Sequence, residues 1–301
     1  MPQSTGSANL ASIANRIIGS ARHTQEAATP SWQLVEKVQL QKGASTYRWP
    51  KFGTFTISDL VDGQDLTDEQ TMGMSFVDLT ATERGAKIIL TDKLVREWGT
   101  TGAWTVVGKQ FGNAAARKQD RDTQALYAAL QGSSAFGAAG TGLTLAFYAA
   151  AIARARGGGG SSVAGNSTGV EPFDPTYAVL HPHQAYNVTR TATAIGAGTS
   201  MRVNDLREEK MLNKFFKFQF NGVDAYESKN INIDSSGDAV GVLAQRDAIV
   251  GLTSVGWRTK RQEDISARGT EMVMTADYGV FELDDRHGAP VLYDAAVPAT
   301  S

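Results

Sequence analysis

Chemistry in this chain would have to come from its imidazoles, carboxylates and hydroxyls. There are four histidines, His23, His181, His183 and His287. His181 and His183 flank Pro182, so in an extended segment both rings would fall on one side. Two imidazoles do not complete a zinc site, and no third ligand is signposted, so the pair reads as a strand-to-helix turn. The run Asp284-Asp285-Arg286-His287 has the residue types of a carboxylate–imidazole centre. Its competing reading is a polar turn ahead of Gly288, joining the last two strands. The turn is favoured, because no second cluster matches it.

Nucleophile and phosphate motifs fail in detail. Gly198-Thr199-Ser200 is followed by Met201-Arg202, so the second glycine of a nucleophile elbow is missing. Ser254 lies one residue out of register between Gly251 and Gly256. Gly157 to Gly160 lacks the Lys–Ser/Thr of a phosphate loop, and Gly137, Gly140 and Gly142 do not have dinucleotide spacing after a strand. Both glycine clusters read as loops. The acidic tract Asp59, Asp62, Asp65, Asp68, Glu69 lacks the alternating ligands and closing glutamate of a calcium loop. It reads as a solvated or subunit-facing loop.

Composition narrows the classes further. The chain has no cysteine, which removes disulfides, thiolate metal sites and cysteine nucleophiles together. A formal net charge of −2 argues against a protein whose main task is gripping nucleic acid. With 42% hydrophobic residues over 301 positions, the chain can bury a substantial core. The N-terminal stretch lacks the unbroken apolar run of a signal peptide, and no run reaches bilayer length. The expectation is a soluble chain made in a cytoplasm, with no cofactor and no metal.

The elements that position these residues follow from periodicity. Residues 1–30 read as an arm, with Leu10, Ile13, Ile17 and Ala21 on one face of a short helix that needs a partner surface. Trp32–Leu40 and Ser45–Trp49 read as strands. A polar excursion follows, and MSFVDLTATERGAKIILTD returns from it, giving a long hairpin-like loop. The strongest helix is expected over about residues 103–131, with Gly132 as its stop and Trp104, Val107, Phe111 and Ala115 on the sheet-facing side. A second helix is expected from a Thr144 cap to Arg156, a strand over Tyr177–Leu180 and a third helix near Gln184–Thr191. Asn221-Gly222 marks a two-residue hairpin turn. The rest is β-rich: residues 240–243, 248–253, 257–262, 271–276, 278–283 and 290–293. The class is α+β, not a βαβ repeat.

This order of parts resembles the Hong Kong 97-type fold of tailed-bacteriophage major capsid proteins. The resemblance is carried by VDLTATERGAKIILTDKLVREWG leading into GKQFGNAAARKQDRDTQALYAAL, then LTLAFYAAAIARAR, YAVLHPHQAYNVTR, FNGVDAYESKNI with AVGVLAQRDAIVGL, and GTEMVMTADYGVFELDDRHGAPVLYD. It implies an N-terminal arm over 1–40, an extended loop over 41–90, and a peripheral domain with a spine helix over 91–132. An axial domain over 133–243 and peripheral strands with the C-terminal strand over 244–301 complete it. It also implies a structural protein, not an enzyme, that assembles into pentamers and hexamers of an icosahedral shell enclosing double-stranded DNA in the virion. Portal, scaffolding and decoration proteins are the implied partners. With the spine helix starting near residue 103, scaffolding would come from a separate protein or not be needed. Candidate contacts between subunits are Trp49 and Phe52 as loop anchors, with Arg48, Lys51, Asp62, Asp65 and Asp68 as charged rim. For the two aromatics, packing within their own hairpin is an equal alternative. The rival readings are an encapsulin-like nanocompartment shell, an α+β hydrolase using Asp284, Asp285 and His287, and a tail or baseplate protein.

Overall fold

A computed structural model describes residues 30–41, 43–52, 59, 73–98, 100–158, 172–196 and 216–298. The first described element is a helical turn, α1 (Ser31–Leu34), where a strand was expected. Pro30 opens the turn at φ −76°. Trp32 then packs closely on Gly251, where a Cβ would sit 2.7 Å from its ring. Strand β1 (Glu36–Gln39) follows, then β2 (Thr46–Phe52), β3 (Met74–Thr80) and β4 (Thr82–Thr91). The returning leg of the expected hairpin is thus split. Strand β3 pairs with β2 in a two-stranded ribbon, whereas β4 joins a four-stranded sheet ordered β1-β10-β11-β4. That sheet uses two long strands, β10 (Ile249–Asp264) and β11 (Gly269–Glu282), each continuous where two shorter strands were expected.

Helix α2 (Asp92–Trp98), not foreseen in sequence, leads into the long helix α3 (Thr100–Gln124). The sequence of α3 is a modest helix former, with Gly102, Gly108 and Gly112 in its first half. Tertiary packing holds it: Val107, Phe111 and Ala115 bury against Leu90, Met272 and Met274, flanked by Trp104 and Trp257. Asp122 adds a polar rivet to this contact. It accepts from Lys118 Nζ at 2.6 Å and the Tyr278 hydroxyl at 2.8 Å, and pairs with Arg84. The helix stops earlier than expected. Tyr127 and Leu130 are pulled into the core between the two sheets, so the chain tightens into a 3-10 turn (Tyr127–Ser133). Left-handed backbone at Gln131 and Gly132 completes the exit.

The second sheet has six strands, ordered β5-β12-β9-β6-β8-β7. Strand β5 (Phe136–Gly142) contains the glycines that were read as a loop. Their role is close approach: a Cβ on Gly137, at φ 104°, would lie 2.4 Å from the Leu292 carbonyl oxygen. Helix α4 (Leu145–Gly157) begins at Thr144, whose hydroxyl accepts from the Phe147 amide at 3.2 Å. Strand β6 (Tyr177–Leu180) and helix α5 (Pro182–Gly196) follow. Strands β7 (Phe216–Phe220) and β8 (Val223–Glu227) turn through Asn221 at φ 48° and Gly222 at φ 79°, as the hairpin signal requires. Strand β9 (Asp238–Ala244) lies at the centre. The last strand, β12 (Gly288–Asp294), is the C-terminal strand of the 244–301 block and lies in this sheet, antiparallel to β9 and parallel to β5.

The two sheets meet at one core containing Val35, Tyr127, Leu130, Val179, Val242 and Ile249. Beside it, Asp120 is fully buried. Its carboxylate accepts from the Ser31 amide at 2.8 Å, Gln124 Nε2 at 2.7 Å, the Ser228 hydroxyl at 2.8 Å and Asn230 Nδ2 at 2.9 Å. A further buried amide, Gln184, donates to the carbonyls of Ala239 and Tyr293 and fastens α5 to β9 and β12.

Three measurements on the purified subunit test this account. Asp120→Ala strands several buried donors at once and should cost on the order of 3 kcal/mol in urea unfolding. Gly108 and Gly112 have open space where a Cβ would go. Alanine at either should therefore raise stability by roughly 0.5–1 kcal/mol. Burial, and then the neighbouring His183, lower His181 from 6.5 to about 4. The unfolded chain therefore takes up a proton here before the folded chain does. The neutral-ring contribution is complete above about pH 6.5 and is lost as pH falls toward 4. A His181→Gln variant should lack that part of the acid dependence of its thermal midpoint.

Candidate inter-subunit surface

The ribbon of β2 and β3 carries the candidate contact residues. Its register sets Thr46 opposite Thr80, Arg48 opposite Asp78, Pro50 opposite Phe76 and Phe52 opposite Met74. Alternation gives such a ribbon two faces. On one face Tyr47, Trp49, Val77 and Leu79 pack against Val250, Leu252 and Leu283 of the same chain. Trp49 therefore rests on its own subunit, with its ring 5.9 Å from that of Tyr47. Lys51 lies toward the same body. Burial raises the Glu282 carboxyl above its usual range, Asp285 adds to this, and the Lys51 charge opposes it.

The other face is open. Arg48 grips Asp78 with two hydrogen bonds, Nε to Oδ1 at 2.7 Å and Nη2 to Oδ2 at 3.1 Å. The hydrogen bond from Arg48 holds the Asp78 carboxyl below its ordinary value. The same guanidinium lies 5.4 Å over the Phe76 ring. Phe76 and Met74 are each 51% exposed, which is unusual for large apolar side chains. The face therefore passes from polar at the Thr46–Thr80 pair to apolar at Pro50–Phe76. Sequence reasoning named Arg48 and missed Met74 and Phe76. The available signal was that MSFVDLT is apolar at both parities, and a two-stranded ribbon buries only one face on its own chain. The side chain of Phe52, and Asp62, Asp65 and Asp68, lie outside the described residues.

The residues with catalytic potential serve turns and joints. Asp284 Oδ1 accepts from the Arg286 amide at 3.2 Å, and Asp285 Oδ2 accepts from the Gly132 amide at 2.9 Å. His287 Nδ1 lies 2.8 Å from Asp247 Oδ2 at the surface. His181 and His183 stack edge to face at 4.6 Å, and His183 Nδ1 lies 2.8 Å from the Ala295 carbonyl oxygen. His23, Ser200 and most of the acidic tract lie outside the described residues. Among the described residues, no group of three or more His, Cys, Asp or Glu side chains could hold a metal ion. Nor is any described helix long and apolar enough to cross a membrane.

Comparison with known proteins supplies the context. The solved head structure of Helicobacter pylori bacteriophage KHP40 is similar at TM-score 0.65 and 12% identity, covering 96% of this chain and 97% of that one. The capsid of Myoviridae phage XM1 is similar at TM-score 0.63 and 13% identity, covering 97% and 100%. The holo-SrpI encapsulin complex from Synechococcus elongatus is similar at TM-score 0.58 and 13% identity, covering 94% and 95%. At these identities the likeness is one of fold, and it is the α+β fold expected from sequence. No curated protein matches the chain. A family model described as phage capsid protein matches residues 77–291, running from the ribbon through both sheets into the C-terminal strand. An element order shared end to end with phage heads, and a sequence match over most of that order, make this chain a member of the phage capsid protein family.

Proposed function

We propose that this chain is the major capsid protein of a tailed bacteriophage, assembling as pentamers and hexamers into the icosahedral head that encloses double-stranded DNA. The family match over residues 77–291 carries this reading. The role is structural and not enzymatic, with no cofactor. The six-stranded sheet, with α4 and α5, corresponds to the axial part around which capsomers form. The four-stranded sheet under α3 corresponds to the peripheral part. Of the extended loop, residues 41–90, the part ahead of β4 reaches over a neighbouring subunit, and of the N-terminal arm, residues 1–40, the part ahead of α1 ties further neighbours. Portal protein, and scaffolding or decoration proteins, are its partners. Assembly takes place in the host cytoplasm and the finished protein resides in the virion.

The open ribbon face is what makes the loop suited to this task. Phe76 and Met74 supply apolar contact area, and the Arg48–Asp78 pair gives a polar rim, the anatomy of a protein interface. Each contact can be modest, because heterologous contacts repeated around a closed shell add up. An encapsulin-type shell is the second reading, favoured by the similarity to the Synechococcus elongatus complex. The contents of particles purified from the native source separate the two, as DNA or as protein cargo.

The loop assignment is tested with Phe76→Asp and Trp49→Ala in the full chain. Phe76→Asp should leave urea unfolding of the subunit within about 0.5 kcal/mol of wild type, yet abolish shells in negative-stain electron microscopy. Trp49→Ala should instead destabilise the isolated subunit by roughly 3 kcal/mol. Normal shells from Phe76→Asp would remove the open ribbon face from the interface.

A further inference from the structure

We propose that Asn221 is a self-modification site, converting to aspartate or isoaspartate through attack by the Gly222 amide, and that Arg156 and Asp174 form the latch that restrains it. The inference stands apart from the capsid reading, since it concerns the chemistry of one hairpin.

Asn221 is the one asparagine of the chain that glycine follows. With no side chain on Gly222 to shield its amide, that nitrogen can reach the Asn221 side-chain carbon Cγ. Both residues are exposed at the tip of the β7–β8 hairpin, where water has access. In the reaction, hydroxide removes the Gly222 amide proton and the nitrogen attacks Cγ. The new N–Cγ bond closes a five-membered succinimide ring. The Cγ–Nδ2 bond breaks, and the amide group leaves as ammonia after taking a proton from water. Water then opens the ring at either carbonyl. One opening gives aspartate in the normal backbone, and the other gives isoaspartate, with Cβ and Cγ in the main chain. Water enters and ammonia leaves, with no change of oxidation state.

The folded turn opposes ring closure. Asn221 has left-handed backbone, with φ 48°. In that well, with ψ about +47°, Cβ stands nearly opposite the following nitrogen across the Cα–C bond. Closure needs the two on the same side, so the turn must open first. Arg156, in the last turn of α4, holds it shut. Its Nη2 donates to the Asn221 carbonyl oxygen at 2.9 Å, while its Nε donates to Asp174 Oδ1 at 2.6 Å. That carbonyl belongs to the peptide unit that has to rotate.

Strand pairing alone restrains the hairpin weakly. Strand β7 is the outer strand of the six-stranded sheet and pairs with β8 alone, with a register shift between Phe216 and Phe218. Outer strands with irregular pairing open at a fraction of the cost of global unfolding. The latch therefore supplies a restraint that the sheet does not. Modification would also be self-reinforcing. Isoaspartate puts an extra backbone atom into a two-residue turn and displaces the carbonyl that Arg156 holds. Phe220, packed beside Tyr148 at a ring distance of 6.3 Å, would then lose its place at the core.

The test follows full-length subunits with time in mildly alkaline native buffer and in urea. Trypsin releases residues 218–229, and fragment mass spectrometry reads the amide-to-acid gain at Asn221. Wild type should convert about tenfold or more slowly in native buffer than in urea. Arg156→Gln and Asp174→Asn, each shown to be folded by its urea transition, should speed native conversion about threefold or more and leave the rate in urea unchanged. Asn221→Gln should show no conversion at this position on the same time scale. Equal native rates in wild type and both latch variants would overturn the latch. So would slower conversion in Arg156→Gln, because the guanidinium would then be promoting loss of the Gly222 proton through the carbonyl it holds. Full conversion in urea with none in native buffer, in wild type and latch variants alike, would overturn the site in the folded chain.

Discussion

Burying a carboxylate without donors costs far more than a single hydrogen bond returns, so Asp120 dictates its surroundings. Its donors come from far apart in sequence: the backbone at Ser31, and the side chains of Ser228 and Asn230. That requirement fixes where the N-terminal segment crosses α3. The crossing point sets where β1 begins and hence its parallel register on β10, Glu36 opposite Val250 through Gln39 opposite Thr253. The ribbon of β2 and β3 leaves from the end of β1, so its direction depends on the same carboxylate. Tyr127, one turn beyond α3, belongs to this arrangement. Burial raises its hydroxyl well above the usual range, so it stays protonated beside Asp120.

Asp120 and Asp122 lie two residues apart and work in different solvents. Asp120 sits in a dry joint and is satisfied mostly by neutral donors. Asp122 is at the edge of the sheet and collects cations, Arg84 and Lys118, with Tyr278 as its neutral partner. Together they orient α3 about its own axis, because one binds toward the six-stranded sheet and the other toward β4 and β11. Among the described residues the ribbon keeps an apolar face, at Met74 and Phe76, that nothing covers.

Much of this was legible in sequence wherever a local rule decides the outcome. The Thr144 cap, the Asn221-Gly222 turn, strand β6 and the sheet-facing side of α3 follow from capping, positive φ and periodicity. Errors arose where distant partners override local preference. Trp32 to Leu34 has strand-like residues, yet the bond from the Ser31 amide to Asp120 and the close contact of Trp32 on Gly251 wind it into a turn. Gly137 reads as loop because its reason for being glycine, the carbonyl of Leu292, is more than 150 residues away. The helix end was overextended because the burial of Tyr127 and Leu130 between two sheets has no local signature. For the surface, sequence supplied the ribbon and Arg48. Met74 and Phe76 went unnoticed because exposure on one face is decided by what covers the other.

The position of β12 has a consequence for the timing of synthesis. It is the last of the described strands to leave the ribosome, yet it lies inside its sheet, between β5 and β9. Until it arrives, β5 has no neighbour in that sheet and the inner edge of β9 stays unpaired. Nascent chains crowded on one messenger therefore cannot offer each other a finished six-stranded sheet until residues 288–294 have emerged.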